Sequence, residues 1–152
     1  MVWMELRSDR SFRFERPRDV MWEAFTRVDE YRAWWPWLAH FDGEAFESGV
    51  RWRCEVSPPL PYSLNFGVTL VDVVPQELVR ARIDGDIDGW AELRAADRDV
   101  GCELRLRSAL SPRNHVLRLV ALGARPVARF GHDWVLDSGV RQFRSRLDEE
   151  EG

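Results

Sequence analysis

Lysine is absent from the 152-residue chain, so all 22 of its basic side chains are arginine. With 26 acidic residues against them, the formal net charge is -4. An acidic chain with dispersed arginines lacks the basic face that nucleic-acid binding requires, and no nucleic-acid partner is expected. Cysteine is scarce: Cys54 and Cys102 are the only 2, too few for a disulfide framework or a zinc site. The 3 histidines, His40, His115 and His132, have no metal-ligand spacing with a third ligand, so neither metal nor cofactor is expected. Long apolar runs are missing too. The longest uncharged stretch, Val56 to Val71, is 16 residues broken by Pro58, Pro59 and Pro61, too short and too kinked to span a bilayer. The amino-terminal stretch carries Glu5 and Asp9 and no apolar core of signal-peptide length. There is no glycine-rich phosphate loop, no ordered Ser/His/Asp set, no internal repeat and no low-complexity linker. These absences lead to the expectation of a cytoplasmic domain without integral membrane association, a monomer or a homodimer. The all-arginine usage points to a bacterial, GC-rich origin more than to a function.

What is present is apolar and aromatic. Hydrophobic residues make up 45% of the chain and aromatics 12%, with 8 tryptophans, which excludes a disordered chain. The length suits one domain, assigned to residues 1–147, followed by a solvated acidic tail at 148–152.

Periodicity orders the elements. Val2, Met4 and Leu6 share one phase, and Phe12 and Phe14 resume it after Ser8-Asp9-Arg10-Ser11; the polar quartet predicts a bulge or irregularity in an otherwise half-buried strand. Pro17 suits a helix start, and Val20, Met21, Ala24, Phe25 and Val28 follow at helical spacing. Asp29 is placed to cap a second short helix that Pro36 stops. From Trp37 to Leu110 about six strands follow, with turns at Asp84-Gly85-Asp86 and Asp97-Arg98-Asp99. Ser111-Pro112 reads as the start of a long helical stretch reaching Leu147, with a kink or break expected at Pro126.

Connections this short require antiparallel pairing, and a sheet with one apolar face needs one cover, which only the carboxy-terminal helix can supply. The inner phase mixes large residues with Gly89, Ala81, Ala91, Cys54, Cys102 and Ser108. Two interiors are open on this pattern: an apolar cavity between sheet and helix, or a core filled by the aromatics. The outer phase collects Arg51, Arg53, Arg80, Arg82, Glu92, Arg94, Glu103, Arg105 and Arg107, which suit cross-strand charge pairs on a wet face and cover for Trp3 and Trp90.

The element order and three local stretches resemble the START/Bet v 1-like (SRPBCC) superfamily, in particular its polyketide cyclase/dehydrase members. The stretches are Phe12 to Phe25, Val28 to Trp37 with its Asp29, Tyr31 and Trp35-Pro36, and the final helix with Arg129 to Trp134. The resemblance covers nearly the whole chain. It implies an α+β helix-grip fold: a curved antiparallel sheet of about seven strands, in the order β-α-α-β6-α, wrapped on the long terminal helix around a hydrophobic cavity. It also implies a small hydrophobic ligand, lipid-like or aromatic, and in some members ring closure or dehydration inside the cavity.

Ring closure or dehydration needs a tuned general acid or base, and the inner phase offers few. His132 and Tyr62 are the candidates, with His40 and His115 beside loops and without a chemical role. The ligand-contacting set is read as Trp35, Trp37, Trp52, Cys54, Tyr62, Phe66, Val68, Ile83, Leu104 and Trp134, with the indoles of Trp35 or Trp37 at a cavity mouth and Trp34 anchoring the short helices. Three functions stay open at this stage: a binding or carrier protein, a cyclase or dehydrase, and a protein-interaction module without a ligand.

Overall fold

The computed structural model describes residues 5–59, 63–113 and 125–151, with the side chains of 125–128, 130, 150 and 151 left out. Strand β1 (Leu6–Phe14) is followed by α1 (Arg18–Thr26), a single 3-10 turn (Val28–Glu30) and α2 (Tyr31–Trp34). Strands β2 (Leu38–Asp42), β3 (Arg51–Val56), β4 (Leu64–Val74), β5 (Leu78–Gly85), β6 (Ile87–Asp97) and β7 (Cys102–Pro112) come next, and α3 (Arg125–Glu151) is the long terminal helix. The strands form one 7-stranded antiparallel sheet in the order β1-β7-β6-β5-β4-β3-β2. This is the α+β helix-grip arrangement that the resemblance implies.

Strand phase survives in the structure. Val79, Ala81 and Ile83 are buried while Arg80 and Arg82 are exposed, and Leu104 and Ser108 are buried opposite Arg105 and Arg107. The outer face is a lattice of charge pairs. Arg51 grips Asp84 with both guanidinium nitrogens at 2.6 and 2.7 Å. Arg105 grips Asp9 in the same way at 2.6 and 2.9 Å. Glu92 accepts from Arg94 at 2.8 Å and from Arg80 at 3.3 Å, and these guanidinium groups hold its carboxyl below the ordinary value. Trp90 sits on this face, 41% exposed, beside Arg82 and Ala109.

Three local expectations are corrected. The polar quartet in β1 makes no bulge: pairing with β7 runs unbroken from Leu6 opposite Leu110 to Phe14 opposite Cys102. Ser8 and Arg10 therefore point inward with Leu6 and Phe12, and the register irregularities fall in β2 between Leu38 and His40 and in β4 between Leu70 and Asp72. Ser111 and Pro112 are the last residues of β7, opposite Asp88 and Ile87, a strand end where proline's missing N–H is tolerated. Pro126 is the second described residue of α3, and the expectation of a kink or break there falls at the edge of residues outside the described ones. Asp29 lies within the 3-10 turn, and α2 has no side-chain cap.

Turn chemistry is strictest at Gly101, between β6 and β7. Its φ of +76° is left-handed, and a Cβ there would stand 1.9 Å from the Phe14 carbonyl oxygen. The interior beside α1 and α2 is aromatic. The Tyr31 hydroxyl donates to the Phe25 carbonyl, and its ring meets those of Trp34, Trp35, Phe41 and Trp52. Phe143 of α3 enters this nest and touches Phe14, Phe25, Trp34 and Trp35, with centroids 5.2 to 6.4 Å apart.

Two stability tests follow. Gly101→Ala is expected to lower unfolding free energy by about 1–3 kcal/mol, the usual cost of a strained backbone position, read as a lower urea midpoint at unchanged slope. Phe143→Ala is expected to cost about 3–5 kcal/mol, because a ring with four aromatic neighbours leaves a cavity that cannot collapse.

Candidate functional site

Strand register explains where the interior is hollow. Ser8 of β1, Ser108 of β7, Ala91 of β6 and Ala81 of β5 stand side by side across the sheet. The next inward row holds Leu6, Leu110, Gly89 and Ile83. Small side chains in adjacent register positions subtract volume at one place, and the aromatic nest lies at the other end of the sheet.

A cavity of about 250 Å³ occupies this place. Six of the seven strands or their flanks contribute, with Leu6, Val56, Leu64, Phe66, Ile83, Ile87, Ala91, Leu106 and Leu110 all aliphatic or aromatic. Pro58 and Pro112 close two of its corners, and Gly131, Val135 and Leu136 of α3 form the facing wall. The helix residues fall at i, i+4 and i+5, the spacing of one helical face. Among the described lining residues the polar side chains are Ser108 and His132.

His132 is held at Nδ1, 3.3 Å from Asp133 Oδ1, with 12% of its side chain exposed. Burial lowers its pKa from the ordinary imidazole value, and the Asp133 hydrogen bond and charge work against that shift. Two cations nearby also disfavour protonation, Arg129 on α3 and Arg10 on β1. Both are engaged: Arg129 donates to the Arg7 carbonyl at 3.0 Å, and Arg10 pairs with Asp137. Ser108 is 8% exposed, and no side-chain hydrogen bond to its hydroxyl is found among the described residues.

The residues singled out from sequence divide into three groups. Phe66, Ile83 and His132 line the cavity. Trp35, Trp37, Trp52, Cys54, Val68 and Leu104 lie inside the sheet but pack into the filled part of the core. Trp35 and Trp37 stack on each other at 5.8 Å and spend their indole N–H groups on α3, donating to the Gly139 carbonyl at 2.9 Å and to Gln142 Oε1 at 2.9 Å. They clamp the helix; they do not frame a mouth. Trp52 donates to the Ala45 carbonyl at 2.9 Å, and burial pushes the Cys54 thiol up to about 12, so it is no nucleophile. Trp134 is half-buried on α3 and is not among the lining residues. Tyr62, like Trp3 and His115, lies outside the described residues. His40 is 78% exposed on the outside, 3.3 Å from Glu55.

Sequence reasoning missed the aliphatic wall, above all Leu6, Leu106, Leu110, Val135 and Leu136. The available signal was the coincidence of small inner residues in neighbouring strands, which marks the empty end once the register is known.

No protein-family model matches this chain, and no curated protein matches it in sequence. Solved structures match in shape. The di-domain aromatase/cyclase StfQ of the steffimycin biosynthetic pathway aligns with a TM-score of 0.76 at 12% identity, over 97% of this chain and 52% of its own. The aromatase/cyclase ZhuI from Streptomyces sp. R1128 aligns at 0.69 with 16% identity, over 97% of this chain and 93% of its own. A Staphylococcus aureus protein of unknown function aligns at 0.67 with 11% identity, over 96% and 98%. At such identities the likeness is one of fold. The chain has the helix-grip fold of these aromatase/cyclase structures, the fold that the resemblance of its sequence implied.

Proposed function

We propose that the protein binds a small, compact, largely apolar molecule in the cavity between sheet and α3, as a carrier or binding protein. The observation that carries this reading is the 250 Å³ hollow whose described wall is apolar except for Ser108 and His132. A dry cavity of about 150 Å³ accepts benzene, so the larger volume here suits a one- or two-ring molecule of about ten heavy atoms. Such pockets bind by apolar burial and use a few polar groups for orientation. The strand face opposite the cavity is already paired in charge, which supports an internal ligand over a docking surface on that side.

A second reading has its own observation. His132 combines a cavity position, a neutral imidazole and an orienting carboxylate at 3.3 Å, the set a general base requires. It favours acid–base chemistry of the cyclase or dehydrase kind on a bound substrate; StfQ and ZhuI are named as aromatase/cyclases.

Filling the cavity tests binding directly. Ala91→Leu places added carbons in the hollow and is expected to weaken binding of a two-ring aromatic probe at least about tenfold by calorimetry, with the melting temperature unchanged or raised. Unchanged affinity would place the ligand elsewhere. The His132 imidazole is expected to titrate in NMR with a midpoint below the ordinary value of 6.5. A depressed imidazole pKa means the unfolded chain takes up the proton first. The stability that neutral His132 contributes is therefore complete above about 6.5 and is lost as pH falls from there through the folded midpoint, a loss that His132→Gln should remove.

A further inference from the structure

We infer that the ligand of this cavity is a neutral molecule bearing a hydroxyl group, and that this hydroxyl donates its hydrogen bond to Nε2 of His132. The inference rests on the binding reading above and narrows it to a chemical class. A carboxylate oxygen only accepts, so at 3.3 Å from Asp133 Oδ1 the proton of the neutral ring sits on Nδ1. The second nitrogen, Nε2, is then a lone-pair acceptor, and no partner for it is found among the described residues. Ser108, on the opposite wall, adds a hydroxyl that can accept or donate.

The same wall excludes other head groups. An ionised carboxylate entering this apolar space meets no side-chain cation among the lining residues. The nearest guanidinium groups are those of Arg10 and Arg129, already committed to Asp137 and to the Arg7 carbonyl. A carbonyl or ether ligand can accept from Ser108 but brings only an acceptor to Nε2, which stays unpaired, a penalty that a hydroxyl avoids. The charged groups that face His132 are Asp133 and Arg129 on α3 and Arg10 on β1, and with burial they leave the ring neutral near pH 7.

Three probes of one shape separate the possibilities: naphthalene, β-naphthol and β-naphthoate, titrated calorimetrically into the full chain at about pH 8, where an ordinary imidazole is neutral. One buried hydrogen bond predicts that β-naphthol binds about five- to tenfold tighter than naphthalene, and the unpaired charge predicts that β-naphthoate binds at least about tenfold weaker than β-naphthol. In His132→Leu the ratio of naphthol to naphthalene affinity should fall to about one. Equal affinity of naphthalene and naphthol in the native chain would overturn the hydroxyl assignment while leaving apolar binding in the cavity intact. Naphthoate binding as tightly as naphthol would also overturn it, with Arg10 or Arg129 as the reason. Failure of all three probes to bind would overturn the binding reading together with this inference.

Discussion

The structure depends on how one helix is seated. α3 crosses the open side of a curved sheet, and its grip comes from Phe143 and the indoles of Trp35 and Trp37. Phe143 supplies the apolar contact, stacked on Phe25 at 5.2 Å and edge-on to Phe14. The tryptophans supply direction, because each N–H must find an acceptor and both acceptors are on α3. Gly139 is part of the same fit: a Cβ there would meet the Trp37 ring at 3.4 Å. Arg10 to Asp137 and Arg16 to Asp148 then tie the helix to β1 and the segment after it.

Seating one end firmly decides what happens at the other. Where α1 and α2 reach, their aromatic side chains fill the space under α3. Beyond their reach, the described residues facing α3 belong mainly to the strands, and four of those strand residues are serine or alanine in one register row. The apolar lining of the cavity there follows from the same strand phase that buries the rest of the core.

The fold was legible because period and order carry it. Alternation in β3, β5 and β7 named the inner residues correctly, and Pro17 and the turns at Asp84-Gly85-Asp86 and Asp97-Arg98-Asp99 marked element ends. The site was legible only in phase. Phe66 and Ile83 line this cavity and share the inner phase, but so do Trp52, Cys54 and Leu104, which are not among its lining residues. Phase says which face a residue takes; it does not say which end of the strand is hollow. That depends on register between strands distant in sequence and on where α1 and α2 stop. Aromatic size misled for a related reason: the largest side chains make the most contacts, so they end in the filled part. The polar quartet of β1 misled because Ser8 and Arg10 keep the inward phase, Arg10 pairing with Asp137 of α3, which local composition does not display.

The aromatic half of the interior is packed without interruption: the chain of ring contacts from Trp22 through Phe25 and Phe143 to Trp35 is continuous. A ligand in the hollow half would couple occupancy to stability. A molecule that fills the void restores the missing contacts in the folded state alone, so its binding must raise the melting temperature in proportion to the logarithm of its concentration over its dissociation constant. The polar pair at the cavity sharpens that coupling. Apolar contact fills the volume for any ligand of the right size, but only one that pairs with His132 avoids leaving a desolvated nitrogen behind. In the proposed binding reading the scaffold separates two jobs: the aliphatic wall would set how large a ligand is, and the imidazole beside Asp133 would set which way round it sits.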